Sequence, residues 1–192
     1  MKYSIESIRA VDTDVASELD QIKSILLFTA LTTIGAKVYI PHEPVPFTLQ
    51  TLFVVLSGAF LGWRNGMISM LLYLLIGAAG IPIFAGAGAG LPILFGSTAG
   101  YLFGFVISAL VVGVIIDYSP SLAWTVISMF AGFLIIFTCG TVYLNAAVFH
   151  NWQVSVTQGF LIFSYWDLVK LVSAVAIYRT LSPRFKQIQP EE

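Results

Sequence analysis

Six runs of apolar residues divide the chain, each continuous rather than alternating. Continuous runs predict helices, whereas a membrane β-barrel would alternate apolar and polar positions. The runs extend from about Lys23 to Ile40, Leu49 to Leu61, Gly66 to Gly80, Thr98 to Ile116, Leu122 to Phe149 and Leu161 to Leu181. Local chemistry sets the breaks. Pro41, Pro44 and Pro46 end the first run, Trp63-Arg64-Asn65 makes a hinge between the second and third, and Asp117-Tyr118-Ser119-Pro120 ends the fourth. His150-Asn151-Trp152-Gln153 is a polar loop before the sixth.

A spanning helix needs about 20 mainly apolar residues to cross roughly 30 Å of hydrocarbon. The expectation is therefore an all-α integral membrane protein with six transmembrane helices. Residues 1–22 read as a polar cytoplasmic extension, residues 23–182 as the membrane domain and residues 183–192 as a cytoplasmic tail. The first twenty residues carry Glu6, Asp12, Asp14, Glu18 and Asp20, which is not the pattern of a signal peptide. With six spans, Lys2, Arg9, Lys23, Arg64, Arg179, Arg184 and Lys186 all fall on one side, and Lys37 and Lys170 lie near or inside the opposite half. The positive-inside rule makes the first side cytoplasmic, with both termini there.

Composition narrows the class further. Of the 192 residues, 58% are hydrophobic and 10% charged, against about 25% charged in an ordinary soluble domain. Mean hydropathy is +0.90. Too little polar surface exists for a soluble enzyme, a disordered protein or a nucleic-acid binder, and a net charge of −1 gives no field for nucleic acid. The lone cysteine, Cys139, excludes an internal disulfide and a cysteine-clustered metal site, and His150 has no partner ligands nearby. No phosphate-binding Gly-x-x-x-x-Gly-Lys-Ser/Thr is present, so any ATP hydrolysis belongs to other subunits. No internal repeat points to an inverted-repeat transporter.

Against this background two charges stand out. Asp167 and Lys170 lie in the sixth run, where each costs about 2.5–3.5 kcal/mol at a helix centre. Their i,i+3 spacing puts them on one face, with Phe163, Trp166 and Ala174 nearby. The helical rise places them roughly 9–14 Å below the outer end. Two readings stay open, an ion pair that fixes helix packing and a pair that lines a ligand site.

Three further stretches carry candidate chemistry. Between the third and fourth runs, residues 77–100 are apolar and uncharged but hold seven glycines, Pro82 and Pro92. Irregular backbone at membrane depth must be buried in protein or line a cavity. The segment is expected to be a lid over an outward-facing pocket, with Phe84, Leu91 and Phe95 for apolar contact and free amides for a carboxylate; the alternative is an extended helix pair packed on small residues. In Pro44-Val-Pro-Phe-Thr-Leu-Gln-Thr-Leu52, Thr48 reads as an N-cap, while Gln50 puts an amide into an apolar helix. Asn145 is a second buried amide, read either as a ligand contact or as helix–helix glue. Tyr73 and Tyr101 offer hydroxyls. In helix 1, Thr29/Thr33 and Thr32/Ala36 have the small-xxx-small spacing that admits a close helix, from the same chain or another subunit.

The run Pro44 to Leu52, then Gly58-Ala-Phe-Leu-Gly62, then Gly80-Ile-Pro-Ile-Phe-Ala-Gly86 and Gly96-Ser-Thr-Ala-Gly-Tyr101, resembles the BioY family, the biotin-specific S components of energy-coupling-factor (ECF) transporters. The resemblance covers about Ile25 to Arg179. The family usually has Gly-Pro-Thr-Gly-Gly-Tyr at 96–101 and Gly at position 166, but Asp-x-x-Lys is retained as Asp167 and Lys170. The resemblance implies biotin as ligand, a transmembrane coupling subunit and two cytoplasmic ATPases as partners, a cell-membrane location, and no cofactor, metal or catalytic residue. It implies Asp167, Lys170, Asn145 and Gln50 as polar contacts to biotin and Phe84, Trp166 and Tyr101 as cover for its ring and chain. The family's Ala-x-x-x-Ala docking motif is not literal in helix 1, and its counterpart falls on Thr29, Thr32, Thr33 and Ala36. An S component for another vitamin and a membrane enzyme using Asp167 as acid or base are the alternatives.

Overall fold

The apolar runs fold into helices that pack side by side, with the irregular segments gathered at one end. The structure, a computed structural model, describes the backbone of residues 2–86, 88–119, 121–161 and 164–188, and the side chains of residues 18–86, 88–119, 121–161 and 165–183. Phe163, expected on the face of Asp167, lies outside the described residues, as do the side chains of Lys2, Arg9, Arg184 and Lys186.

In chain order the elements are α1 (Lys2–Lys37), β1 (Tyr39–Ile40), β2 (Phe47–Thr48), α2 (Gln50–Ala78), α3 (Leu91–Leu94), α4 (Ala99–Tyr118), α5 (Leu122–Leu144), a π-helical turn (Asn145–Phe149), α6 (Trp152–Gly159) and α7 (Ser164–Ile188). α2 packs against α1 and α4, α4 against α5, and α7 closes the arrangement by touching both α2 and α5. Three helical stretches, Gln50–Ala78, Ala99–Tyr118 and Leu122–Phe149, are long and apolar enough to cross a membrane among the described residues. Large apolar side chains cover the outside, including Leu75, Phe103, Ile107, Phe130, Leu168 and Val172. The interior carries buried hydroxyls such as Ser57, Ser69, Ser108, Thr125 and Ser128. Small hydroxyl residues between apolar helices let backbones approach closely.

α2 is two helices in one. Gly62, at φ 72° and ψ 176°, breaks it into arms spanning residues 50–61 and 63–78. The Gln50 Nε2 to Tyr73 Oη distance is 2.7 Å, whereas 23 residues of straight helix would separate them by about 34 Å. The arms therefore fold back on each other. They touch backbone to backbone: a Cβ at Gly66 would lie 2.8 Å from Gly58 Cα. The left-handed φ at Gly62 is one that a residue with a Cβ adopts only at a cost of roughly 1–2 kcal/mol. The hinge expected at residues 63–65 thus falls one residue earlier, at the glycine.

Several boundaries move. α1 starts at Lys2 and runs unbroken past position 22, and it ends at Lys37, before the run expected to reach Ile40. Tyr39 and Ile40 instead pair antiparallel with Thr48 and Phe47, a short ladder in an otherwise helical chain. Part of the polar stretch after His150 is helical as α6, capped by Asn151 Oδ1 accepting from Val154 N. α7 continues through Pro183 to Ile188.

Candidate functional site: a polar cavity under two loops

The C-terminal end of α1, both outer ends of the α2 hairpin, the N-termini of α4 and α7 and the C-terminal end of α5 meet at the end that carries the irregular segments. There they enclose a cavity of about 280 Å³, near the lower end of the roughly 300–1,000 Å³ usual for small-molecule sites. Its walls come from Thr48, Gln50 and Thr51 of β2 and the first arm of α2, Tyr101 and Phe105 of α4, Phe137 of α5, and Asp167 and Lys170 of α7. Two loops cover it. One is the β1–β2 loop with Pro44, Val45 and Pro46, and the other is the glycine-rich segment with Phe84, Ala85, Ile93, Gly96, Ser97 and Thr98. Ser97 Oγ donates to Pro44 O at 2.6 Å, which closes the seam between the two covers.

The buried pair is the electrostatic centre. Asp167 is 5% exposed and Lys170 8%. The Lys170 ammonium is paired with Asp167 Oδ1, and it donates to Thr48 O at 3.0 Å and to Thr51 Oγ1 at 2.8 Å. An ammonium has three N–H donors, so Lys170 is saturated within the protein. Asp167 is not. Thr51 Oγ1 donates to Oδ1 at 3.5 Å, while Oδ2 is buried with no hydrogen-bond partner among the described residues. The surplus of the pair is one buried acceptor on a residue that lines the cavity, and an unpaired buried acceptor is costly unless something donates to it.

A second polar relay lies behind the first arm of α2. Thr48 Oγ1 donates to Gln50 Oε1 at 3.0 Å and accepts from Gln50 N at 3.3 Å. Gln50 Nε2 donates to Tyr73 Oη, which donates on to Ile83 O at 3.1 Å. Thr48 thus takes up the first amide of the helix although Leu49 occupies the N-cap position. The Gln50 amide is anchored, and its position in the cavity wall is fixed from the opposite arm.

The sequence-derived residues divide clearly. Gln50, Phe84, Tyr101, Asp167 and Lys170 converge on the cavity. Phe84, 1% exposed, lays its ring against Tyr73 with centroids 5.4 Å apart. Tyr101 contributes its ring, while its hydroxyl donates to Gly159 O at 2.6 Å, toward α6. Trp166 and Asn145 are not among the lining residues. Trp166 is 54% exposed and packs on Tyr165. Adjacent helical residues point about 100° apart, and the inward face of α7 is Asp167, Lys170, Ala174 and Tyr178. Asn145 starts the π-helical turn, and its Oδ1 is buried without a partner among the described residues. Leu91 and Phe95 point outward from the cover.

The expected docking residues are largely spent inside the chain. Thr29, Thr32 and Ala36 are buried. Thr29 Oγ1 donates to Ile25 O at 2.9 Å and lies 3.2 Å from Ser69 Oγ of α2, and Thr32 Oγ1 donates to Phe28 O at 2.9 Å. Thr33 is half-buried. The small side chains of α1 serve its close packing on α2. Sequence reasoning passed over Thr51, whose hydroxyl accepts from Lys170 and lies beside Asp167 of α7, more than a hundred residues away in the chain.

These features define a helical membrane protein with a ligand-sized, partly polar cavity bordered by loops at one end. Comparison with known proteins specifies the class. The model of the BioY family matches residues 9–187, and the chain belongs to that family. The biotin transporter BioY of Thermotoga maritima is 42% identical over 165 residues, 86% of this chain and 95% of that protein. The probable biotin transporter BioY of Pyrococcus horikoshii is 36% identical over 164 residues, 84% of this chain and 95% of that one. A crystal structure of the S-component for biotin from an ECF-type ABC transporter shares the fold, with TM-score 0.80 and 22% identity over 85% of this chain and 91% of that chain.

Proposed function

We propose that this chain is the membrane-embedded biotin-binding subunit of an ECF-type vitamin transporter and that the covered cavity is its biotin site. The observation that carries this reading is that the cavity is lined by Asp167, whose buried Oδ2 has no partner among the described residues, and by an ammonium already saturated within the protein. Such a wall asks its ligand for an N–H donor and offers nothing further to an anion. The ureido ring of biotin supplies two N–H groups, so that end of the molecule meets α7. The apolar thiolane and chain lie along Phe84, Tyr101, Phe105 and Phe137, and the carboxylate lies toward residues 96–98, at the positive end of the α4 dipole. Relatives named as biotin transporters support the same ligand.

The six expected crossings correspond to α1, the two arms of α2, α4, α5 and α7. With Lys23, Arg64 beside the Gly62 break and Arg179 all on the parts of α1, α2 and α7 remote from the cavity-lining residues, the cavity opens outward and both termini are cytoplasmic. The subunit captures biotin and passes it inward when a transmembrane coupling subunit and two cytoplasmic ATPases reorient it. It binds its substrate and does not transform it.

The test is equilibrium titration of purified Asp167→Asn with biotin. Replacing one acceptor oxygen by an amide N–H weakens binding by about 1.5–3 kcal/mol, roughly ten- to a hundredfold. A folded Asp167→Asn protein with unaltered affinity removes the site.

A further inference from the structure

Lys37 is the last residue of α1. A lysine in that position commonly serves its own helix's terminal carbonyls. Here its ammonium reaches across to the glycine-rich cover, donating to Pro82 O at 2.6 Å, Phe84 O at 2.9 Å and Gly86 O at 2.7 Å. All three donors are used on backbone carbonyls of one short stretch. Charge-assisted hydrogen bonds of this length are the stronger class, and three of them fix five consecutive residues of a segment that has little regular structure of its own.

What they fix bears on the cavity. Phe84 is the cover's buried aromatic and Ala85 its neighbour, and both line the cavity. The Phe84 ring fits only because position 77 is glycine: a Cβ there would lie 2.1 Å from Phe84 Cζ. The preceding carbonyl, Ile83 O, accepts from Tyr73 Oη, which also takes the Gln50 amide. The Ile83–Phe84 backbone is therefore gripped from two sides, by Tyr73 from α2 and by Lys37 from α1. The α2 grip is buried in packed protein, whereas Lys37 stands at the exposed rim.

We infer that Lys37 is a positioning residue for the ligand cavity: through Phe84 O and its two neighbouring carbonyls it holds the aromatic cover in place and so sets how long a bound ligand stays. This rests on the cavity being the biotin site. Lys37 is not among the residues that line the cavity. Its loss therefore raises the dissociation rate while the polar contacts at Asp167 remain.

The experiment measures release of labelled biotin into excess unlabelled biotin from wild-type protein, Lys37→Met, Lys37→Arg and Asp167→Asn, with thermal unfolding of each without biotin. Lys37→Met is expected to release biotin about tenfold faster, the scale of one lost charge-assisted bond. Its ligand-free unfolding temperature stays unchanged. Lys37→Arg, whose five N–H donors can again satisfy the carbonyls, returns the rate to within about threefold of wild type. Amide exchange at Phe84 and Gly88 rises in Lys37→Met and falls back in Lys37→Arg. If Lys37→Met releases biotin at the wild-type rate while Asp167→Asn has lost affinity, the cavity reading stands and the role of Lys37 falls. If Lys37→Met loses ligand-free stability and Lys37→Arg restores stability without retention, Lys37 is structural only and the inference is overturned. If Asp167→Asn binds as wild type, the cavity reading fails and takes this inference with it.

Discussion

Two lysines at the cavity end of the molecule use their charge in opposite ways. Lys170, in the wall, is neutralised by a carboxylate, and the pair leaves one oxygen unspent. Lys37, at the rim, is held by three carbonyls that carry no formal charge. Both ammonium groups are saturated, but the Lys170 arrangement ends in a carboxylate oxygen with no partner among the described residues, on a residue that lines the cavity, while the Lys37 arrangement ends in backbone. The difference teaches where to look for function among buried charges. A closed set of partners holds structure together, and a charged pair that lines a cavity and keeps a surplus acceptor marks where to test for a ligand.

The comparison is broken most severely at Lys170. Lys170→Met strands a buried carboxylate, and removing one partner of a buried pair costs about 3–5 kcal/mol. Thermal unfolding in detergent is expected to show the loss, with biotin binding abolished. The double variant Asp167→Leu/Lys170→Met replaces both charges by apolar groups, which is often neutral or stabilising. It is expected to regain stability and still fail to bind, which separates the structural part of the pair from its ligand-binding part. Regained binding in the double variant would show that the charges serve packing alone.

Tyr73→Phe gives a smaller effect. It removes the acceptor for Gln50 Nε2 and the donor to Ile83 O, at a cost of about 1–3 kcal/mol for the buried amide left unsatisfied. Stability and biotin affinity are expected to fall together, because this relay fixes the first arm of α2 and the cover at once. An affinity loss with no change in unfolding would mean that Tyr73 contacts ligand directly. The smallest effect is expected from Ser97→Ala, which opens the seam to Pro44 O for about 0.5–1.5 kcal/mol. It is expected to quicken release of labelled biotin and leave the unfolding temperature within error.

Much of this arrangement is legible in the sequence, and the limits have physical causes. The break between the second and third apolar runs is readable because polar residues and glycine interrupt the hydrophobicity, and the glycine-rich cover is readable because no stable helix carries that composition without charge. Asp167 and Lys170 announce themselves because lipid penalises them. Rotation about a helix axis is less accessible. Trp166 and Asp167 are neighbours in sequence yet one faces outward and the other inward, and no periodicity in α7 is sharp enough to choose between faces about 100° apart. The small residues of helix 1 signal a close helix without saying whose, and the close helix is α2 of the same chain. Lys37 and Thr51 are illegible for another reason. Their partners are backbone carbonyls and a distant helix, and such contacts leave no spacing pattern to read.

The fold-back at Gly62 has a last consequence. Because Gly58 and Gly66 bring the two arms into backbone contact, the hairpin behaves as a single plate, and Gln50 on one arm cannot shift without Tyr73 on the other. Ligand traffic therefore has a low-cost route that leaves this plate intact: parting Ser97 from Pro44 and freeing Lys37 dismantles a handful of polar clasps, whereas separating the arms would expose tightly fitted interior. On the proposed reading of the cavity, entry and exit belong to the loops, and the helices supply the frame against which they move.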